Sequence, residues 1–368
     1  MIVGTVKEIK IGENRVGLTP AGVSILVNTG HKAVIERGAG ANSGFSNSEY
    51  EEQGAVIAPD AAEVWNNCDM VVKVKEPLKQ EYAHLRENLI LFTYLHLAAE
   101  KELTEELLRR KVTAIAYETV ELDNGDLPLL TPMSEVAGRM SVQIGAHYLE
   151  RTNGGSGRLL AGVPGVPPGR VVILGSGIAG INAAKMAFGI GANVTVIGRN
   201  LQQLRYIDDV FHGGVRTLMS NPLNIASALK DCDLLIGTVA ITGYKAPRLV
   251  SKEMVRTMKP GSVIVDISID QGGSTETSRP TSHKDPVYVE EGVIHYCVTN
   301  MPGAVPHTST LALTNATLPY ALKIAGGLEK ALKDEVLTKG VNTYKGKLTN
   351  KGVAEAFGLE YVELSALL

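Results

Sequence analysis

Cysteine is scarce in this chain. There are three, Cys68, Cys232 and Cys297, widely spaced and with no CxxC pair. An odd set so placed argues against a disulfide framework and against a zinc knuckle. Two of the three sit beside apolar runs, where plain core thiols are expected. Long apolar runs are missing too. No stretch reaches the roughly 18 consecutive apolar residues of a membrane span. The opening, MIVGTVKEIKIGENR, has charges at Lys7, Glu8 and Lys10 and does not read as a secretory signal. Neither sign of charge dominates. With 36 basic and 39 acidic residues, the formal charge of −3 gives no electrostatic case for nucleic acid or an anionic membrane as partner. There is no repeat at a solenoid period and no low-complexity tract. Metal binding has no spacing support: the lone acids and histidines near the C-terminus do not recur at i, i+4 as ligand pairs, so no metal is expected. The expectation is a cytoplasmic enzyme or binding protein.

What is present is an alternation of short β-branched runs with amphipathic stretches, the pattern of βαβ units and parallel sheets. At 368 residues, two domains are expected. Expected strands of the first are Ile2–Val6, Lys32–Glu36, Ala55–Ala58, Met70–Val74, Leu89–Leu95 and Val112–Tyr117. Leu89–Leu95 is apolar almost throughout, as in a strand buried on both faces. Thr19-Pro20 reads as a cap followed by proline at the first helical position. Thr131–Glu150 reads as a long linking helix that Ser134 could cap, followed by a Gly/Pro-rich loop to Gly169. A second series follows: Arg170–Leu174, Asn193–Ile197, Val215–Met219, Asp233–Val239, Ser262–Ser268 and Val293–Val298. Six strands fit a full dinucleotide-binding domain. Ser309–Leu332 reads as a long helix returning to the first domain. The expected fold is therefore α/β, two doubly wound parallel-sheet domains, with a Rossmann domain (131–308) inserted into a discontinuous one (1–130 and 309–368).

Arg170-Val-Val-Ile-Leu174 runs into Gly175-Ser-Gly177-Ile178-Ala179-Gly180, then a helical pattern. GxGxxG alone is a weak signal. Here the strand before, the helix after and the next strand about 20 residues on supply its context. The glycines permit the tight turn, the approach of a pyrophosphate and close helix packing, and the helix start faces the phosphates. The next strand ends Ile197-Gly198-Arg199-Asn200, with no acid to bind the ribose hydroxyls. Gly198 is read as leaving room. Arg199 either meets a 2′-phosphate in a two-pronged contact or points into solvent. The reading leans towards NADP or dual use over NAD alone.

Ligands in such sheets sit outside the carboxyl ends of the strands. Arg15, Lys75, His96, Asp270 and Asn300 all fall there. Each alone has a dull explanation as a surface loop residue, solvated strand end, hydrogen-bonded histidine or turn cap. Together they suggest a site for a small acid. Lys73 competes with Lys75, Asp266 with Asp270, and His295 and His307 with His96.

The chain resembles the alanine dehydrogenases. The stretches carrying the likeness are Lys7-Glu8 with Arg15-Val-Gly-Leu-Thr-Pro20, Val72-Lys-Val-Lys-Glu-Pro77, Phe92-Thr-Tyr-Leu-His96 and Ala116-Tyr-Glu-Thr-Val120. Thr131-Pro-Met-Ser134, Asp270-Gln-Gly-Gly273 and Asn300-Met-Pro-Gly-Ala-Val-Pro306 add to them. The resemblance implies reversible oxidation of L-alanine to pyruvate and ammonia by a nicotinamide cofactor, in a homo-oligomer that is usually a hexamer. It implies His96 and Asp270 as the catalytic pair, with Arg15 and Lys75 binding substrate. Asn300 is grouped with the substrate contacts. Cofactor contacts are implied at Ser134, the glycine loop, Ser220, Val239 with Ala240, Ile267, Arg279, Val298 and Met301. Three departures stand out: Gly198 replaces the family's aspartate, Gln203 a basic residue, and Ser274-Thr275 a Cys-Phe pair. The alternatives are a transhydrogenase component, an opine- or saccharopine-type dehydrogenase, and a non-catalytic nicotinamide-binding module.

Overall fold

The computed structural model describes residues 1–240 and 245–368. They form two compact units, Met1–Met133 with Val305–Leu368, and Ser134–Ala304. In the first unit, β1 (Ile2–Thr5), β2 (Lys32–Glu36), β3 (Val56–Ala58), β4 (Met70–Val72), β5 (Ile90–Thr93) and β6 (Thr113–Ala116) are all parallel. Their order across the sheet is β3-β2-β1-β4-β5-β6. Side chains alternate between faces. Met70 and Val72 enter one apolar cluster with Ile90 and Phe92, and Val71 enters another with Leu91 and Ala114. A sheet covered on both faces needs apolar residues at every strand position, which is why β5 reads as an unbroken run. β2 has its expected bounds, while β1, β4, β5 and β6 stop one or two residues short, where the chain leaves the sheet for the loops that carry the polar side chains.

The second unit repeats the order. Its strands are β7 (Arg170–Leu174), β8 (Asn193–Gly198), β9 (Arg216–Met219), β10 (Leu234–Gly237), β11 (Val263–Asp266), β12 (Val287–Glu290) and β13 (Val293–Tyr296). They run β9-β8-β7-β10-β11-β13-β12 across the sheet. β12 was not expected. It pairs antiparallel with β13 at the sheet edge, and none of its four residues is fully buried, so it lacks the long apolar run that marked the inner strands. Back in the first unit, β14 (Val341–Tyr344) and β15 (Lys347–Leu348) were missed for another reason: β14 is buried but polar at Asn342 and Thr343, and β15 has only two residues. They extend the sheet antiparallel beyond β6 as a short edge hairpin.

Two helix readings need correction. The linking helix is Thr131–Leu149. Pro132 lies in its first turn, where a missing N–H costs nothing, so Ser134 sits inside the helix and does not cap it. The expected helix Ser309–Leu332 is Pro306–Ala325 followed by Leu328–Ala331. Gly327, at φ 132°, makes the break. Thr19 does cap Pro20–Asn28, accepting from Gly22 N at 3.2 Å. The three cysteines are buried, and burial pushes their thiols up, to about 12 for Cys68 and Cys232 and about 11 for Cys297. No helix among the described residues is long and apolar enough to cross a membrane.

Candidate active site

In both sheets the strand order reverses beside the first strand, between β1 and β4 and between β7 and β10. That switch point opens a crevice at the carboxyl ends. In the first unit, Arg15 follows β1 in a loop pinned from several sides. Asn14 O accepts from Ser43 Oγ at 2.7 Å, and Val16 N donates to Thr310 Oγ1 at 3.2 Å. Gly17 passes so near β4 that a Cβ would stand 2.5 Å from Val72 O. Arg15 is only 2 % exposed, so it is no solvated loop residue. Its Nε and Nη2 donate to the two oxygens of Glu13 at 2.7 and 2.6 Å, a fork-to-fork pair. Burial alone would raise the Glu13 carboxyl. The hydrogen bonds and charge of Arg15 outweigh it and hold Glu13 at about 2.

Lys75 lies just past β4, half-buried. Its N–H donates to Glu8 Oε1 at 3.1 Å, and Val74 N does so at 2.7 Å. Burial first, and the Arg15 charge second, lower the Lys75 ammonium, against Glu13 and Glu76. Lys73 is settled differently. It is fully buried, and its Nζ donates to Glu8 Oε2 at 3.2 Å and Glu81 Oε1 at 3.0 Å. That triad fixes the strand end from which Lys75 emerges.

His96 follows β5, exposed, with φ 49° and ψ 34°. This left-handed conformation is uncommon outside glycine. Glu118 holds it: Oε1 accepts from His96 N at 2.6 Å and from Leu95 N at 3.1 Å. The Tyr94 ring lies nearly parallel to the imidazole, with centroids 5.9 Å apart. Of the rival histidines, His295 is buried between Thr277 Oγ1 and Val293 O, and His307 bonds Ser43 O.

In the second unit Asp266 ends β11 and organises the turn after it. Oδ1 accepts from Ser268 N and Ser274 Oγ at 3.1 and 3.0 Å. Oδ2 accepts from Ser274 N and Ser278 Oγ at 2.7 and 2.6 Å. Asp270 rides exposed on that turn, and its Oδ1 accepts from Asn300 N at 3.3 Å. Asp266 is thus a framework group, and Asp270 the outward one. Ser274, where the resemblance leads one to expect cysteine, is one of the donors that hold Asp266.

The second unit also carries a cleft of about 360 Å³ over its glycine loop. Ser134, Gly175, Gly177, Ile178, Ala179, Gly198, Arg199, Ser220, Val239 and Ala240 all line it. Gly180 lies beneath. A Cβ there would overlap Gly175 O, so it serves the close packing of helix on strand. Gly175, at φ 114°, has Thr238 Oγ1 2.5 Å from its would-be Cβ, whereas Gly177 faces open space. No side chain caps the helix Ile178–Gly189, leaving its first N–H groups for an anion. The loop therefore fits a pyrophosphate. Arg279 lies elsewhere, its guanidinium 3.8 Å over the Tyr288 ring. Val298 and Met301 are core side chains, 1 % and 3 % exposed, and Ile267 packs partly buried against the same core. The room expected beside Gly198 is not open, because Ser176 fills it.

Sequence reasoning missed Glu13, Glu118 and Ser176. Glu13, two residues before Arg15, carried a proximity signal. Glu118 lies 22 residues from His96, and only the family stretch Ala116-Tyr-Glu-Thr-Val120 marked it.

Residues 4–137 match the model described as alanine dehydrogenase/PNT, N-terminal domain, and residues 141–351 match the corresponding C-terminal domain. The chain belongs to the alanine dehydrogenase/PNT family. It is 57 % identical over 371 residues to the alanine dehydrogenase 2 of Staphylococcus aureus (strain USA300), covering all of both chains. A solved L-alanine dehydrogenase superposes with a TM-score of 0.95 at 52 % identity, over 97 % of this chain and 99 % of that one. A transhydrogenase from Sinorhizobium meliloti shares the fold, with a TM-score of 0.82 at 24 % identity, over 95 % and 99 %. Among the described residues no cluster of His, Cys, Asp or Glu could hold a metal ion.

Proposed function

We propose that this chain catalyses the reversible oxidative deamination of L-alanine to pyruvate and ammonia with a nicotinamide dinucleotide. The observation that carries the reading is the gathering of Arg15, Lys75 and His96 at the carboxyl ends of one parallel sheet. In this reading 1–130 and 309–368 form the substrate domain and 131–308 the dinucleotide domain. When bound, the nicotinamide supplies the hydride acceptor for alanine and the donor for the reverse reaction. The glycine loop and the helix start at Ile178 hold its pyrophosphate. Ser134, Ser220, Val239 and Ala240 flank it.

The chain's own groups handle the acid, the proton and the ammonia. Arg15 receives the substrate carboxylate. Glu13 already balances part of its charge, so Lys75 shares the task and donates to the carboxylate or carbonyl oxygen, stabilising charge that develops there. His96 takes a proton from the water that adds to the imine carbon and returns it as ammonia leaves, a role suited to imidazole near neutral pH. Asp270 holds the ammonia or water, and Asn300 supports the substrate.

The cofactor range extends to NADP as well as NAD. A strand-end carboxylate would repel a 2′-phosphate. Position 198 has none, and exposed Arg199 stands at the cleft rim. A preference for NADH of about a hundredfold in kcat/KM would end this part. The same reading includes a homohexamer and a cytoplasmic location, which sedimentation and cell fractionation check. The deciding experiment is a matrix of alanine, serine, glycine and lysine, and of pyruvate and glyoxylate with ammonia, against both cofactors. Alanine-dependent formation of reduced nicotinamide is expected. Its absence while another amino acid reacts would refute the assignment.

A further inference from the structure

In a sheet of this order, the end of the strand after the glycine loop is where an adenosine ribose is read. Gly198 ends that strand, yet its side-chain volume is taken. A Cβ at 198 would stand 2.5 Å from Ser176 Oγ, 2.8 Å from Ser176 Cβ and 3.1 Å from Leu204 Cδ2. Ser176 is only 8 % exposed, and its Oγ donates to Gln203 Oε1 at 2.7 Å. The frame around this pair is stiff. Gly198 O accepts from Ser220 N at 2.8 Å. Asn200 Oδ1 accepts from Gln202 N and Gln203 N at 2.9 and 3.2 Å, so those helix N–H groups do not face a ligand. Ser176, Gln203 and Arg199 all line the cleft here, and Arg199 has no acidic partner among the described residues.

We propose that Ser176 and Gln203 form the specificity-determining pair at the ribose end of the cleft. Positions 176 and 198 compete for one side-chain volume, so a strand-end carboxylate seats only when Ser176 is removed. The inference rests on the reading of the cleft as a nicotinamide-dinucleotide site. The chemistry follows from the pair. Ser176 gives its proton to Gln203 and keeps lone pairs that can accept from a ribose hydroxyl. The pair is neutral. It neither chelates two ribose hydroxyls as a carboxylate does nor repels a phosphate monoester, and Arg199 is left to meet that phosphate.

The test is calorimetric titration of the purified enzyme with NADH and with NADPH, together with the melting temperature of each variant. G198D alone is expected to weaken both ligands by about tenfold or more, because its side chain strikes Ser176. S176G/G198D is expected to regain NADH binding and lose NADPH binding by about a hundredfold. S176A and Q203A, which add no bulk, are expected to change the NADH-to-NADPH ratio by about fivefold or more. If G198D does not fold, these two variants decide the matter. The proposal is overturned if G198D by itself gives the full preference of the double variant, or if S176A and Q203A both leave the ratio unchanged. Wild-type protein that binds neither dinucleotide overturns the cleft reading and this pair with it. Wild-type protein that binds NADH alone overturns only the wider cofactor range, and the comparison of single and double variants still decides the pair.

Discussion

Replacing Glu13 with Gln removes the charge that faces Arg15 and leaves the shape almost unchanged. Both side chains are buried, at 5 % and 2 % exposure. Glu13 is lowered from 4.5 to about 2, and Arg15 is the group that lowers it against the pull of burial. A shift of this size corresponds to about 3 kcal/mol of folding stability, at about 1.4 kcal/mol per unit. Breaking one partner of a buried ion pair costs about 3–5 kcal/mol, which agrees. The folded carboxyl titrates below its unfolded value. The stabilisation is therefore complete above about pH 4.5 and is lost as pH falls towards about 2. For a unit of this size the substitution is expected to lower the melting temperature at neutral pH by about 6–12 °C. Calorimetry of the wild type, E13Q and the double variant E13Q/R15M separates charge from packing, since removing both partners should restore part of the loss. Steady-state kinetics should show a raised KM for pyruvate in E13Q, because the guanidinium loses the group that aims it. A melting temperature within about 1 °C of wild type would refute the claim that Glu13 and Arg15 form a stabilising buried pair.

Three further outcomes are expected. Glu118→Ala leaves the N–H groups of Leu95 and His96 without their acceptor and frees the strained turn. kcat should fall by about 10- to 100-fold with KM little changed, and Glu118→Gln, which keeps an acceptor, should recover most of the loss. Normal turnover in Glu118→Ala would remove Glu118 from the account. Lys75 carries its positive charge only while protonated, and burial with the Arg15 charge lowers its ammonium. Activity with pyruvate should therefore decline with rising pH before the ordinary lysine range near 10.5, and Lys75→Arg should shift that limb upward. An unmoved limb would assign it to another group. Asp266→Asn turns an acceptor into a donor facing Ser274 N and Ser278 Oγ. The buried Ser274 N–H then loses its acceptor, at about 1–3 kcal/mol, while the Ser278 hydroxyl must turn to accept instead. Thermal denaturation and kcat should both suffer, since Asp270 rides on that turn, and stability equal to wild type would contradict the framework role.

Much of the fold was legible because it is written in local patterns. The unbroken apolar run of β5 announced a strand covered on both faces, and GSGIAG between strand and helix announced the phosphate loop. The edge strands β12 and β14–β15 were not legible. β12 is partly exposed, β14 is buried but polar at its centre and β15 has two residues, and only pairing with a neighbour makes them strands. At the site the same division holds. Arg15, Lys75, His96 and Asp270 could be found because strand ends of parallel sheets carry ligands. Lys73 and Asp266 already fell inside expected strands, short of the ends; that they bind Glu8 with Glu81, and Ser274 with Ser278, could not be found, because those partners meet them only through folding.

The sequence by itself determined which residues stand at strand ends, since hydrophobic periodicity and glycine spacing are properties of neighbours along the chain. Only the tertiary structure decided how those residues are held. The Glu13 fork on Arg15, the Glu118 bonds beneath His96 and the Ser176 side chain in the space beside Gly198 are contacts made through space. Burial sets their strength, and burial depends on everything that packs around them.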